Sequence, residues 1–302
     1  KRDSKRNPGK LIERFNVFNN FEELTSQTES INSKFNDNVI LKWGNQIDIS
    51  QNIENPIVYN NTKALAIASN KKKSREILQE KKVNTPYLKK ETLKELILNN
   101  EVKFPIIARP LHHEKGKDFY CLENITDLKR FIDLKGFEDF YYDPFLDKTN
   151  EYRVHVGLGK IISILEKPKP LNPNQKVWNR NENEDNDGFK YVTWSEYDSE
   201  LCKIALNACK SLEIDLGAVD IIKFEDKFYV LEINTSPSLV SNDYTANRYA
   251  LLFNYIQKHT IDKKLEHWDF ESFGNPKSLA WKNFQLNSEI NIINIKEENE
   301  EE

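Results

Sequence analysis

The chain has 302 residues, enough for about two or three subdomains with cores of their own, and its 38% hydrophobic and 30% charged content is that of a globular protein in water. A formal net charge of −4 without a strongly basic domain leaves no electrostatic footprint for nucleic acid, and no apolar run approaches the roughly 20 residues that cross a bilayer. KRDSKRNPGK leads into no signal-like apolar core, and Cys121, Cys202 and Cys209 are an odd set without metal-type spacing, so a reducing, cytoplasmic setting is expected. The sequence contains no methionine, so it has been processed or begins downstream of an initiator.

Residues 1–10 read as a basic, polar arm. RFNVF (14–18), NVILKWG (38–44) and PIVYN (56–60) read as strands, with a polar helical stretch over 21–35. From Lys63 to Glu80 the pattern is helical, with Ala64, Ala66, Ile67, Ile77 and Leu78 as apolar positions and NKKKSREIL as a basic turn. For Lys71, Lys72 and Lys73 the ordinary reading is a solvated face. A short helix is expected over 91–99, then a buried strand FPIIARP (104–110) ending in Arg109, where a charge is costly unless paired. A structural salt bridge is one explanation of that arginine. LHHEKGKDF (111–119) is a loop with the single glycine Gly116, and with His113, Lys115 and Lys117 as polar donors.

FYCLEN reads as a strand and 127–134 as a helix, and FEDFYYDPFLDKTNEYRVHV (137–156) as strand, connection, strand. Strict alternation in EYRVHV puts Glu151, Arg153 and His155 on one face. IISILEKPKP (161–170) continues the sheet. Residues 172–194 form a polar insertion that contains Arg180 and a turn at Asp187-Gly188, and 195–212 form an amphipathic helix. After the segment described next, 246–259 is a second amphipathic helix, and a stretch with scattered aromatics ends in the acidic tail EENEEE.

LGAVDIIKFEDKFYVLEINTSPSL (216–239) reads as a hairpin, AVDIIKF and KFYVLEIN joined at Glu225-Asp226. Glu232 and Asn234 are two apart and share a face, and antiparallel pairing brings Asp220 opposite them. Two carboxylates and an amide on one face repel unless a cation sits between them, and oxygen donors suit Mg²⁺ held jointly with phosphates. A sheet with one wet face is the plain alternative. The order D-x(11)-E-x-N followed by T-S-P resembles the metal-binding end of the ATP-grasp ligases.

That resemblance extends over roughly residues 38–255 and implies an α+β ATP-grasp fold, two subdomains gripping a nucleotide, with a reduced β/α lobe before them. The implied division is 1–62, 63–145 with the phosphate loop, 146–260 with the metal-binding hairpin, and a 261–302 extension. Asn70-Lys71 before Ile77-Leu78 and Thr85-Pro86 matches the family's N-K helix, which makes Lys71 the phosphate lysine. By the same resemblance Arg109 stands for the strand-end phosphate lysine, and Gly116, with His113 and Lys115, belongs to the phosphate loop. Asp118 replaces a glycine common in that loop. The region of Tyr142, Asp143 and Phe145 corresponds to the hinge that holds adenine, and Asp147 to the ribose contact. Arg153 matches the E-x-R strand, with Glu151 and His155 behind it, and Arg180 an arginine that meets acylphosphate or substrate carboxylate. Asp220, Glu232 and Asn234 are then ligands of Mg²⁺, two ions, beside ATP. Among ATP-grasp proteins the chain looks most like carboxylate-amine ligases of phages and bacteria related to the glutamate-adding ligases, which implies a small-molecule, peptide or protein-tail carboxylate and an amine as partners. An inactive nucleotide-binding module and a phosphotransferase on the same fold are the competing readings, and oligomeric state is open.

Overall fold

The computed structural model describes residues 39–44, 46, 57–111, 119–166, 192–193 and 198–237, with helical positions between 245 and 256. The strand expected at 14–18, the helix at 21–35, the loop 112–118, most of the insertion 172–194 and the stretch from 261 onward lie outside the described residues. β1 (Val39–Leu41) and β2 (Ile57–Tyr59) pair in parallel with Val39 opposite Ile57, as the two short apolar runs predict.

The helical stretch over 63–80 is two helices, α1 (Thr62–Ser69) and α2 (Lys71–Glu80). Asn70 divides them with an extended backbone at φ −89°, ψ 94°. Its amide bonds the Ile67 carbonyl at the end of α1, and its side chain accepts from the Lys73 amide in the first turn of α2. The asparagine that the family register reads as half of an N-K pair is therefore also an N-cap, worth about 1 kcal/mol to the helix that carries Lys71.

α3 (Lys90–Leu98) leads to β3 (Ile106–Pro110), which lies between β4 (Tyr120–Leu122) and β5 (Phe140–Pro144) in a three-stranded antiparallel sheet. α4 (Ile125–Lys135) joins β4 to β5, and its Leu128 and Phe131 with Leu93 of α3 bury Ile106, Ala108, Leu122, Phe140 and Tyr142 in one cluster.

The second sheet has the order β10-β9-β6-β7-β8: β6 (Asn150–Gly157), β7 (Lys160–Glu166), β8 (Val192–Thr193), β9 (Leu216–Phe224) and β10 (Lys227–Asn234). β8 is a short strand inside the segment read as loop; Thr193 pairs with Leu165. One face of this sheet is apolar and packs Tyr152, Val154, Val219, Ile221 and Val230 under α5 (Ser199–Ser211). Ala64, Ala68 and Leu78 join the same cluster. Helices α1 and α2 thus share the core of the larger sheet, whereas the expected unit 63–145 groups them with the smaller one. Cys202 and Cys209 are buried in α5, where burial, then Asp215, pushes the Cys209 thiol up to about 12.

The other face carries Arg153, His155, Ser163 and Asp220. Helical positions after 244 cover part of it, with Thr245 bonded to Ser163 at 2.8 Å and Tyr249 to His155 at 3.1 Å. Among the described residues no helix is long and apolar enough to cross a membrane.

Candidate active site

The hairpin is set by its turn. Glu225 and Asp226 both have positive φ, 45° and 59°, as a two-residue hairpin turn of the kind that follows strand twist requires. From that turn the ladder runs Lys227 opposite Phe224 to Val230 opposite Ile221, then shifts at Leu231 so that Glu232 faces Asp220 and Asn234 faces Ala218. Leu231 is the extra residue of a β-bulge. On the next strand Arg153 faces Asp220. Arg153, Asp220 and Glu232 therefore form one row across three adjacent strands.

The row is closed by charge pairs. Arg153 donates from Nε and Nη2 to the two carboxylate oxygens of Asp220, both at 2.7 Å, a bidentate fork. Lys71, at the start of α2, places Nζ 2.5 Å from Glu232 Oε2. Burial alone would raise the Glu232 carboxyl, but Lys71, with Arg75 and Arg153, holds it below the usual carboxylate range. Each carboxylate expected at the metal is thus paired with a cation expected at the phosphates. Asn234 Oδ1 accepts the Ser236 amide at 3.0 Å, which starts the turn after β10 and leaves the amide oxygen one further lone pair. Behind the row, burial and then Arg153 push His155 down to about 3, so the ring is neutral against Tyr249.

At the end of β3, Arg109 Nε lies 2.6 Å from Asp143 Oδ2, an ion pair whose two atoms are not aligned as a hydrogen bond. The guanidinium carbon sits 4.4 Å from the centre of the Phe119 ring, and 18% of the Arg109 side chain is exposed.

The three hinge candidates all have partners within the fold. Tyr142 is fully buried, its hydroxyl donates to the Phe137 carbonyl at 3.1 Å, and its own carbonyl accepts the Leu88 amide at 2.8 Å. Asp143 is buried between Arg75 and Arg109. The Phe145 amide already donates to the Pro105 carbonyl at 3.0 Å. These groups join β5 to its neighbours, because the strand runs to Pro144 and the connection to β6 begins only at Phe145. Asp147 is exposed in that connection. His113, Lys115, Gly116 and Arg180 lie outside the described residues.

Sequence reasoning missed Arg75. Its side chain is 2% exposed, and it donates to the Leu231 carbonyl from Nε at 3.2 Å and Nη2 at 3.0 Å, to the Pro86 carbonyl at 3.0 Å, and to Asp143 Oδ1. Burial is the largest influence and disfavours its charge, yet Asp143, Tyr141 and Glu232 together outweigh it and raise its pKa. The signal was in the helix period: Arg75 lies four residues after Lys71 and three before Leu78, on the inward face.

Two carboxylates and an amide oxygen on adjacent strands are a donor set for Mg²⁺, which takes few protein carboxylates and completes its octahedron with phosphate oxygens and water. Among the described residues no group of three His, Cys, Asp or Glu gathers to hold a metal by protein ligands alone. The residues present fit an ion shared with a polyphosphate.

Comparison with known proteins gives concordant results. The model of the RimK-like ATP-grasp domain matches residues 186–250, which span α5 and the hairpin. An uncharacterized protein of Mycoplasma genitalium is 28% identical over 152 residues, 49% of this chain and 47% of that protein. A D-alanine–D-alanine ligase of Pelagibacter ubique is 27% identical over 199 residues, 61% of this chain and 63% of the ligase. The chain thus spans about half to three fifths of the length of these curated relatives. Among solved structures, the D-alanine–D-alanine ligase from Bacillus anthracis complexed with ATP is similar with a TM-score of 0.47 and 18% identity, covering 69% of this chain and 71% of that one. The fold is α+β, and residues 186–250 are similar to the RimK-like ATP-grasp domain.

Proposed function

We propose that this chain is an ATP-dependent carboxylate-amine ligase that makes an amide bond through an acylphosphate and releases ADP and phosphate. The observation that carries the reading is the row Arg153, Asp220, Glu232, closed by Lys71: two carboxylates lie side by side on one sheet face with a cation at each end. Carboxylate and amine do not condense at neutral pH, because oxide is a poor leaving group. Transfer of the γ-phosphoryl group to the carboxylate supplies a good one, and amine attack then expels phosphate.

The obstacle is electrostatic, since an anionic acid must approach a triphosphate. Asp220, Glu232 and Asn234 would hold Mg²⁺, two ions in this reading, which would supply charge neutralisation at the transferring phosphoryl group. With those carboxylates turned to a metal, Lys71 and Arg153 would be free to hold phosphate oxygens, and Arg109 would hold a third position. The exchange replaces one set of ion pairs by another, so no carboxylate or ammonium in the row is left bare. In the hinge, Tyr142, Asp143 and Phe145 remain the candidates for the adenine edge that the resemblance implies, with Asp147 at the ribose. Arg180 and the loop residues His113, Lys115 and Gly116 keep the roles that the resemblance implies, toward the acyl oxygen and the phosphates.

The test is calorimetric titration with a non-hydrolysable ATP analogue, with and without Mg²⁺, followed by an assay for ADP with acid and amine pairs. Binding that requires Mg²⁺, and ADP release that requires both an acid and an amine, support the ligase. Absence of binding under every condition overturns it, and ADP release with a hydroxyl acceptor in place of the amine turns it into a phosphotransferase.

A further inference from the structure

A buried guanidinium is an expensive way to fill a core. An apolar side chain of similar volume serves the fold as well or better, so the reason for Arg75 is sought in what it touches. It touches three separate pieces of chain, and two of them are next to a charge of the nucleotide site. Leu231, whose carbonyl takes two of its N–H groups, immediately precedes Glu232. Asp143, whose Oδ1 it occupies, presents Oδ2 to Arg109. Pro86 ends the Thr85-Pro86 pair after α2, and Arg75 itself stands one helical turn from Lys71.

The bulge explains the first contact. In a regular ladder the Leu231 carbonyl would be directed along the strand pairing, whereas the register shift between Val230 and Glu232 takes Leu231 out of it. The two bonds from Arg75 satisfy that carbonyl and hold the strand where Glu232 meets Asp220.

The second contact is a matter of charge sharing. One carboxylate, Asp143, stands between two guanidinium groups. With Arg75 bonded to Oδ1, Arg109 reaches only Oδ2, and that approach is short but not aligned as a hydrogen bond. Without Arg75, Asp143 would present both oxygens to Arg109 and take it in a bidentate fork, which is the strongest way a carboxylate captures an arginine. Arg109 is thus oriented by Asp143 and not consumed by it.

We propose that Arg75 is a positioning residue of the nucleotide site: through the Leu231 carbonyl it fixes Glu232, and by occupying Asp143 it keeps Arg109 available to phosphate. This rests on the nucleotide reading given above and assigns the Asp143 carboxylate a positioning role.

The experiment is a double-mutant cycle read by calorimetry with a non-hydrolysable ATP analogue and Mg²⁺, at a temperature where every variant is folded. Arg75→Lys keeps the charge but cannot fork to two carbonyls and a carboxylate at once. We expect it to bind at least tenfold more weakly, with a higher Mg²⁺ concentration at half-saturation. Arg109→Ala also weakens binding, and at saturating Mg²⁺, where the route through Glu232 is masked, the double variant falls no more than about threefold below Arg109→Ala alone. A merely structural arginine lowers the melting temperature and leaves the affinity of the folded protein unchanged; that result, or losses that multiply in the double variant, overturns the proposal. Should Arg75→Lys fail to fold, the near-isosteric Asp143→Asn enters the same cycle with the same criteria. Wild-type protein that binds no analogue defeats the nucleotide reading itself, whereas wild-type binding with an unaffected Arg75→Lys defeats only the role of Arg75.

Discussion

Glu232 and Lys71 expose about a third of their side chains, 33% and 30%, so their ion pair is screened and contributes little to folding. Glu232→Gln is therefore expected to change stability by less than about 1 kcal/mol. On turnover the same change should cost about 100-fold or more, since it removes a charge from the site of phosphoryl transfer. Parallel measurement of melting temperature and ADP release checks both halves; a variant with full activity removes Glu232 from the site. Arg109 behaves differently, because its partner Asp143 is buried and the loss is felt in the core. Arg75 remains beside Asp143, so Arg109→Ala should cost about 1–2 kcal/mol and not the roughly 3–5 kcal/mol of stranding a buried charge altogether. Denaturant unfolding reads this directly, and unchanged stability would mean that Asp143 draws its stabilisation from Arg75 alone. That Glu232 and Asn234 share a face was legible in the sequence from strand period, whereas the bulge that brings Glu232 opposite Asp220 and the β6–β9 pairing that adds Arg153 to the row were not. Nor were Arg75 and Asp143, since their meeting depends on how α2, β5 and a bulge in β10 come together.

At the scale of elements, the small β1–β2 pair is fastened to the larger sheet by one residue. Asn60 has positive φ at 59° and is fully buried just after β2. Its amide donates to Asp215 Oδ2 at 2.7 Å, its Nδ2 to the carbonyls of Lys42 at 3.1 Å and Leu216 at 2.7 Å, and its Oδ1 accepts the amides of Asp215 and Leu216, both at 2.9 Å. Asparagine suits the position twice, because it tolerates left-handed backbone and offers a donor and an acceptor on one short arm. Asn60→Ala strands several buried backbone groups at the entry to β9 and should cost about 2–4 kcal/mol. Chemical denaturation measures it, and a loss under about 1 kcal/mol would mean that water replaces the side chain. The same lobe approaches the end of the hairpin at Gly44, whose φ is +69° and where an added Cβ would lie 2.6 Å from the Ser236 Cβ. The strands and most helices of this arrangement follow from apolar period and turn residues. The split at Asn70 and the placing of α1 and α2 on the larger sheet do not, because an asparagine inside a helical pattern reads equally as a polar face, and periodicity names an inward face without naming what it meets.

Over the whole molecule, the charges of the site and of the core beneath it titrate in separate windows, which makes acid stability a test of the structure. His155 lies buried in the larger sheet with a pKa near 3, lowered first by burial and then by Arg153. In the unfolded chain the ring returns to its ordinary value of 6.5. Below that pH the unfolded chain binds a proton that the folded chain refuses, so stability falls as pH drops from about 6.5 toward 3. The loss between pH 7 and 5 amounts to about 2 kcal/mol for this one group. Glu232 contributes with the same sign but lower on the scale. Its carboxyl sits below the ordinary 4.5, so whatever its pair with Lys71 adds is present above that value and disappears as pH falls further. The interval from about pH 6.5 to 5 therefore isolates the histidine. Urea unfolding across it should show a slope in the wild type that flattens in His155→Gln, a side chain able to keep a bond to the Tyr249 hydroxyl without taking a proton. An equal slope in the two proteins would mean that the imidazole is protonated in the fold, and with it that burial, the larger of the two causes, does not keep the charge out of the sheet behind the site.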